Sequence, residues 1–237
     1  MVASPQEWRR AKRRGGSFIF AKGHQLPAEL LRINAQSPEP SILRYAAEFL
    51  ARGRVLGIPT DTVYGLAADP YNLSAVEEIY RVKGRPETRA LPILVNSIEQ
   101  AILLAREIPD NFLRLATAFW PGALTIVLDA GHRLPLKVTA NTGRVALRFP
   151  RSSVVAALIA EFGGPITGTS ANLSGHPSCS SAAQVQDQLG ARLSLILDVG
   201  ELNASLASTI VVLRGDETWK IVREGVIPNS DIENHLS

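Results

Sequence analysis

The stretch Val55-Leu56-Gly57-Ile58-Pro59-Thr60-Asp61-Thr62-Val63-Tyr64-Gly65-Leu66 decides how the chain is read. Its first four residues are a short apolar run between Gly53 and Pro59, the pattern of a buried strand. Hydroxyls and a carboxylate follow at once, at the strand's carboxyl end, which is where open α/β sheets bind ligands. The same residues also read as a Thr-rich turn capping Asp61, so this segment alone leaves both readings open.

Upstream, Ser41 is the expected cap of a helix carrying Ile42, Leu43, Ala46, Phe49 and Leu50 on one face and stopped by Gly53. Residues 1–40 lack sustained periodicity and read as an extension outside the main fold. They include a basic arm of Arg9, Arg10, Lys12, Arg13 and Arg14, read as a solvated arm, an RNA-touching arm or a transit peptide. Downstream, helices are expected from Ser74 with Glu77 as a capping box, from Ser97 with Gln100, over Asp110–Phe119, over Val154–Phe162 and near Ser181–Leu189. Strands are expected at Leu91–Val95, Ala123–Leu128, Arg144–Phe149, Pro165–Thr167 and Leu193–Leu197. A hairpin pairs Thr209–Leu213 with Trp219–Val222 around Gly215-Asp216. This alternation predicts an α/β domain over residues 41–228, built on an open twisted mixed sheet flanked by helices, with a tail at 229–237.

Composition narrows the chemistry. The 237 residues are 46% hydrophobic and 20% charged, enough to bury a core without covalent staples. One cysteine, Cys179, excludes an internal disulfide or a zinc–thiolate cluster and fits a reducing, cytoplasmic setting. A net charge of +3 permits nucleotide or RNA partners without demanding them. No apolar run reaches the roughly 18 residues a membrane span needs. Neither G-x-x-x-x-G-K-[ST], G-x-G-x-x-G nor G-x-S-x-G occurs, and the four histidines have no ligand spacing.

Three further polar clusters interrupt the apolar pattern. Lys83-Gly84-Arg85-Pro86, with Arg89, puts cations around a tight turn after a helix, either to clamp phosphates or to complement the helix dipole. In Arg144-Val145-Ala146-Leu147-Arg148, alternate residues share a strand face, so Arg148 sits among apolar neighbours and calls for an anionic partner. Thr167-Gly168-Thr169-Ser170-Ala171-Asn172-Leu173-Ser174-Gly175-His176-Pro177-Ser178 is a small-residue loop able to approach phosphate or ribose oxygens, or an ordinary solvated loop.

In this order, PTDTVYGL at Pro59, KGRP at Lys83, WPGALTIVL at Trp120, VALRFP at Val145, TSANLSGHPS at Thr169, STIVVL at Ser208 and IVREGVI at Ile221 resemble the YrdC/Sua5 family of threonylcarbamoyladenylate synthases. The resemblance spans about Ser41 to Ile227. It departs at Val212, where many relatives carry Asp, and at Ala123 and Ala90, where Pro is common; none of these removes a charged ligand contact. It implies a YrdC-like fold with a large basic cavity. It assigns ATP to Lys83, Arg85, Arg89, Arg144, Ser170, Asn172, Ser178 and Arg223, with Lys83 and Arg85 as the catalytic pair. Threonine falls to Thr60, Thr62, Arg148, Gly168 and Ser208, Arg148 taking the carboxylate. The single-domain branch is the expected placement.

The implied reaction joins L-threonine and bicarbonate or CO2 into a carbamate whose oxygen attacks the α-phosphate of ATP and expels pyrophosphate. Mg²⁺ is held mainly through the ATP phosphates, with no protein metal site. The product would pass to a threonylcarbamoyl transferase that modifies adenosine at tRNA position 37. The alternative is a double-stranded RNA-binding protein that uses the basic cavity; weak RNA binding and no membrane partner are compatible with either reading.

Overall fold

The computed structural model describes residues 27–203 and 206–236. The basic arm therefore lies outside the described residues. Within them the chain builds two sheets rather than the single twisted sheet expected.

Four elements open the fold: β1 (Glu29–Arg32), α1 (Pro40–Ala51), β2 (Leu56–Ile58) and β3 (Gly65–Ala67). Next come α2 (Leu73–Lys83), β4 (Ile93–Leu94), α3 (Ile98–Ile102), α4 (Asp110–Phe119), β5 (Leu124–Asp129) and β6 (Arg144–Arg148). The remainder comprises α5 (Ser153–Phe162), β7 (Ile166–Thr167), β8 (Thr169–Ser170), α6 (Ala182–Leu189), β9 (Leu195–Asp198), β10 (Thr209–Leu213), β11 (Trp219–Arg223) and α7 (Asn229–Leu236). The first sheet has the order β1-β9-β2-β3-β8 and the second β11-β10-β5-β6-β4-β7. Both mix parallel and antiparallel pairs; β10 lies parallel to β5, with Thr209 opposite Leu124.

The two sheets meet at Gly168. It alone separates β7, in the second sheet, from β8, in the first. Buried Thr167 stitches the seam: its Oγ1 accepts from the Ala68 amide at 2.9 Å and donates to the Leu66 carbonyl at 3.2 Å. A Cβ at Gly168 would fall within 2.7 Å of Leu94 Cδ1 and closer still to Leu94 Cγ, so the crossing needs glycine.

Two apolar clusters follow from this division. One face of the first sheet packs Leu56, Ile58, Leu195 and Leu197 against Leu43 and Leu50 of α1 and Leu158 and Ile159 of α5. Each fully buried leucine contributes about 1.5–3 kcal/mol. The other cluster joins Val76 and Ile79 of α2, Phe112 and Leu115 of α4 and Val185 of α6 to Ile126 and Leu128 of β5.

Local signals place most helix ends. Ser97, Ser152 and Ser181 cap α3, α5 and α6 by accepting amides three residues on. Gly84 and Gly163 end α2 and α5 with positive φ. Two caps differ from expectation. Helix α1 begins at Pro40 after Glu39, with no side-chain cap, because proline suits the first turn. Helix α2 is capped by Asn72, whose side chain accepts the Ala75 amide, two residues earlier than the Ser74–Glu77 box predicts.

The described parts of the segments set aside as extension and tail also join the fold. β1 pairs in parallel with β9, between buried Ala28 and Ile33. In α7, Ile232 is fully buried and the His235 ring stands 4.8 Å from that of Phe119 in α4. No helix among the described residues is long and apolar enough to cross a membrane.

Candidate functional site

Side chains two apart on a strand point to the same face. Thr125 and Val127 of β5, Ala146 and Arg148 of β6, and Ser208 and Ile210 at the start of β10 thus line one side of a cavity of about 260 Å³ over the second sheet. The seam supplies Gly168, Thr169 and Ser170. Thr62 enters from the turn after β2, Arg85 from the turn after α2, and Arg223 from β11. Three guanidinium groups and no carboxylate line this space, so it selects anions. Its volume is below the roughly 300–1,000 Å³ usual for small-molecule sites, so the enclosed part fits an amino acid and a nucleotide must extend over the rim.

Arg148 is the best defined of the three. It is 7% exposed, and its Nε donates to the Gly122 carbonyl at 3.1 Å. Its Nη1 donates to Thr62 Oγ1 at 3.0 Å and its Nη2 to Asp61 Oδ1 at 2.6 Å. A guanidinium carries five N–H donors; these three contacts leave one on each terminal nitrogen. Burial pulls the Arg148 pKa down, and Asp61 opposes that pull. The anionic partner the sequence demanded is thus first a carboxylate of the chain itself.

Arg85 is held by its own turn: Nε donates to the Arg89 carbonyl at 3.2 Å and Nη2 to the Ala90 carbonyl at 2.9 Å. Arg223 grips the start of β10, donating through Nη2 to the Ser208 carbonyl at 2.8 Å and to Ser208 Oγ at 3.3 Å. Ser208 Oγ in turn lies 2.8 Å from Thr125 Oγ1. Burial lowers the pKa of both arginines, with Arg89 adding to the effect at Arg85.

Lys83 behaves differently. It ends α2, is 2% exposed, and does not line the cavity. Its Nζ donates to the carbonyls of Ser170 and Asn172, the latter at 2.8 Å, and to Asn172 Oδ1 at 3.4 Å. All three ammonium donors are engaged. Burial, with Arg85 nearby, lowers its pKa from 10.5 to about 8, while Cys179 opposes. Lys83 therefore fastens the 170–172 segment to the end of α2.

The structure brings together Arg85, Ser170, Ser178 and Arg223 from the expected nucleotide set, and Thr62, Arg148, Gly168 and Ser208 from the expected amino-acid set. Besides Lys83, it leaves four of the expected residues off the lining. Thr60 is buried, its hydroxyl donating to the Val63 carbonyl at 2.6 Å. Asn172 spends its amide on the carbonyls of Leu173 and His176. Arg89 is exposed on its turn. Arg144 pairs with Asp129 at 3.7 Å at the far end of β6. Sequence reasoning did not single out Thr125 or the partnership of Asp61 with Arg148. Thr125 carried a usable signal, a hydroxyl within the apolar run Leu124–Leu128.

No cluster among the described residues offers three His, Cys, Asp or Glu side chains to a metal. The cavity lining does not fit a divalent cation either, since its polar side chains are hydroxyls and guanidiniums. A wider cavity of about 550 Å³ lies beside the ends of β1 and β9. Some of its polar groups are already engaged: Arg32 pairs with Asp198 at 3.0 Å, and Glu39 accepts the Asn34 amide at 3.0 Å. Nothing there points to a ligand.

The chain resembles known proteins in sequence and in fold. The Sua5/YciO/YrdC family model, described as telomere recombination, matches residues 48–225. Threonylcarbamoyl-AMP synthase of Pyrococcus abyssi is 38% identical over 193 residues, covering 81% of this chain and 56% of that protein. Threonylcarbamoyl-AMP synthase of Vibrio vulnificus strain YJ016 is 34% identical over 189 residues, covering 78% of this chain and 99% of that protein. The chain thus spans little more than half the length of some curated relatives and nearly all of others. The crystal structure of P. abyssi Sua5 complexed with L-threonine superposes with a TM-score of 0.83 at 35% identity, covering 87% of this chain and 60% of that one. E. coli YciO, at 24% identity and a TM-score of 0.78, shares the fold.

Proposed function

The chain belongs to the Sua5/YciO/YrdC family, and we propose that it is an enzyme, a threonylcarbamoyl-AMP synthase of the nucleotidyltransferase class. The observation that carries this reading is the pair of unused Arg148 N–H groups at the floor of a small, hydroxyl-lined, carboxylate-free cavity. A planar two-donor fork matches a carboxylate. Thr62, Thr125 and Ser208 beside it suit a small amino acid bearing a hydroxyl, and the P. abyssi relative is described in complex with L-threonine.

In this reading Arg148 anchors the carboxylate of threonine and turns its amine toward the cavity mouth. The neutral amine nitrogen bonds the carbon of CO2 and releases one proton to solvent, or bonds the carbon of bicarbonate, in which case that proton leaves within the departing water. A carbamate oxygen then bonds the α-phosphorus of ATP while the bond to pyrophosphate breaks. Arg85 and Arg223 face the phosphates and offset the charge that builds on them, and the hydroxyls of Ser170 and Ser178 position the nucleotide. No protein nucleophile is needed; the rate comes from alignment, worth about 7–11 kcal/mol when reacting groups are well placed. Mg²⁺ travels with the ATP phosphates and takes no ligand from the lining. The adenylate then serves a transferase acting on tRNA.

The test is incubation with ATP and bicarbonate plus L-threonine, L-serine or no amino acid, reading pyrophosphate and the adenylate by mass spectrometry. The expected result is pyrophosphate release that requires both threonine and bicarbonate, with the threonylcarbamoyl adduct present. ATP binding without turnover under any of these conditions would overturn the reading.

A further inference from the structure

We propose that Asp61 is a positioning residue for the amino-acid substrate, acting through Arg148; this rests on the function proposed above. Arg148 projects from β6 of the second sheet, whereas Asp61 lies in the turn after β2 of the first. Their 2.6 Å pair therefore bridges the two sheets beside the cavity, which Arg148 lines and Asp61 does not. Side-chain exposures of 8% for Arg148 and 14% for Asp61 place the pair largely out of water, where a guanidinium without a counter-charge is costly.

Geometry gives the pair a role beyond neutralisation. With Nε fixed by Gly122 and Nη1 by Thr62, the fork could still rock about the Nε end; Asp61 pins the remaining nitrogen. One N–H on each terminal nitrogen then remains, held in a fixed direction, for the oxygens of a substrate carboxylate. The charge of Asp61 also tempers the attraction of Arg148 for anions in general.

The experiment is steady-state kinetics of the full chain with Asp61→Ala and Asp61→Asn, comparing L-threonine with L-threonine amide, which lacks the carboxylate. Asp61→Ala is expected to raise the KM for threonine about tenfold and leave the KM for ATP within about twofold, the loss typical of one charge-assisted contact. The preference for threonine over its amide should shrink by a similar factor. Asp61→Asn, which keeps an acceptor oxygen for Nη2, should recover threonine binding to within about threefold of the parent. If Asp61→Ala is insoluble, Asp61→Ser, whose hydroxyl falls short of Nη2, is read the same way. An unchanged threonine KM, a parallel rise in the ATP KM, or an Asn variant as impaired as Ala each overturns the assignment. If the unmodified chain shows no threonine-dependent pyrophosphate release, the synthase reading itself fails.

Discussion

The ammonium nitrogen of Lys83 lies 2.8 Å from the backbone oxygen of Asn172, tying the last residue of α2 to the small-residue loop after β8. The return contact is the Ser174 amide, which donates to the Lys83 carbonyl at 2.9 Å. Two backbone segments 89 residues apart are thereby locked at one edge of the cavity. An ammonium with its three donors spent on such a lock has none left for a phosphate until the loop lifts.

Lys83 should make stability depend on pH in a defined direction. Its folded pKa of about 8 lies below the ordinary 10.5, so between those values the unfolded chain binds the proton and the folded chain does not. Stability attributable to this residue therefore rises with pH across that window, and the cost of burying the charge is present in full below about 8. In urea unfolding of the parent and Lys83→Met, the parent should gain relative to the variant from pH 7.5 to 10. A difference that is flat, or that runs the other way, would show that the lysine is not held as described.

Arg85 should resist conservative replacement. Its fork spans two carbonyls of its own turn, Arg89 and Ala90, while facing the cavity. Lysine offers a point charge and cannot do both. Arg85→Lys is expected to raise the KM for ATP roughly tenfold, close to Arg85→Ala, with the threonine KM little changed. Near-parental ATP kinetics in the lysine variant would mean that charge alone suffices.

Cys179 should be inert in the folded chain. It is fully buried, and burial pushes its thiol pKa up against the pull of Lys83. Thiolate is the reactive form, so a disulfide reagent such as DTNB should label the native protein slowly and the urea-unfolded protein at once. Cys179→Ala should keep activity, because the bond from the Tyr64 amide goes to the residue 179 backbone oxygen.

How much of this could be read from sequence depends on how local each cause is. Caps at Ser97 and Ser181 and stops at Gly84 and Gly163 arise from neighbours within one turn, and they were legible. β1 was not, because Glu-Leu-Leu-Arg has no alternation and its strand status comes from β9, with Arg32 meeting Asp198 across 166 positions. The demand of Arg148 for an anion could be argued from strand parity, yet its partner lies 87 positions away. The split into two sheets was hidden for another reason: one glycine in a polar loop gives no hydropathy signal.

That glycine supplies the sharpest packing test. Gly168 passes Leu94 so closely that a single methyl group there has no room, and Leu94 itself is buried in the cluster beneath α1 and α5. Gly168→Ala should cost about 1–3 kcal/mol by overpacking, measured by denaturant unfolding. Activity should fall further than stability, since Gly168 and Leu94 both line the cavity and the displaced leucine moves into it. Leu94→Ala alone should be destabilising by about 2–5 kcal/mol as a cavity mutation. Combined, the two changes should cost less than their sum, because the second removes the atoms that the first strikes. Strict additivity would mean that the seam relaxes elsewhere, and that the contact between Gly168 and Leu94 does not hold the two sheets in register.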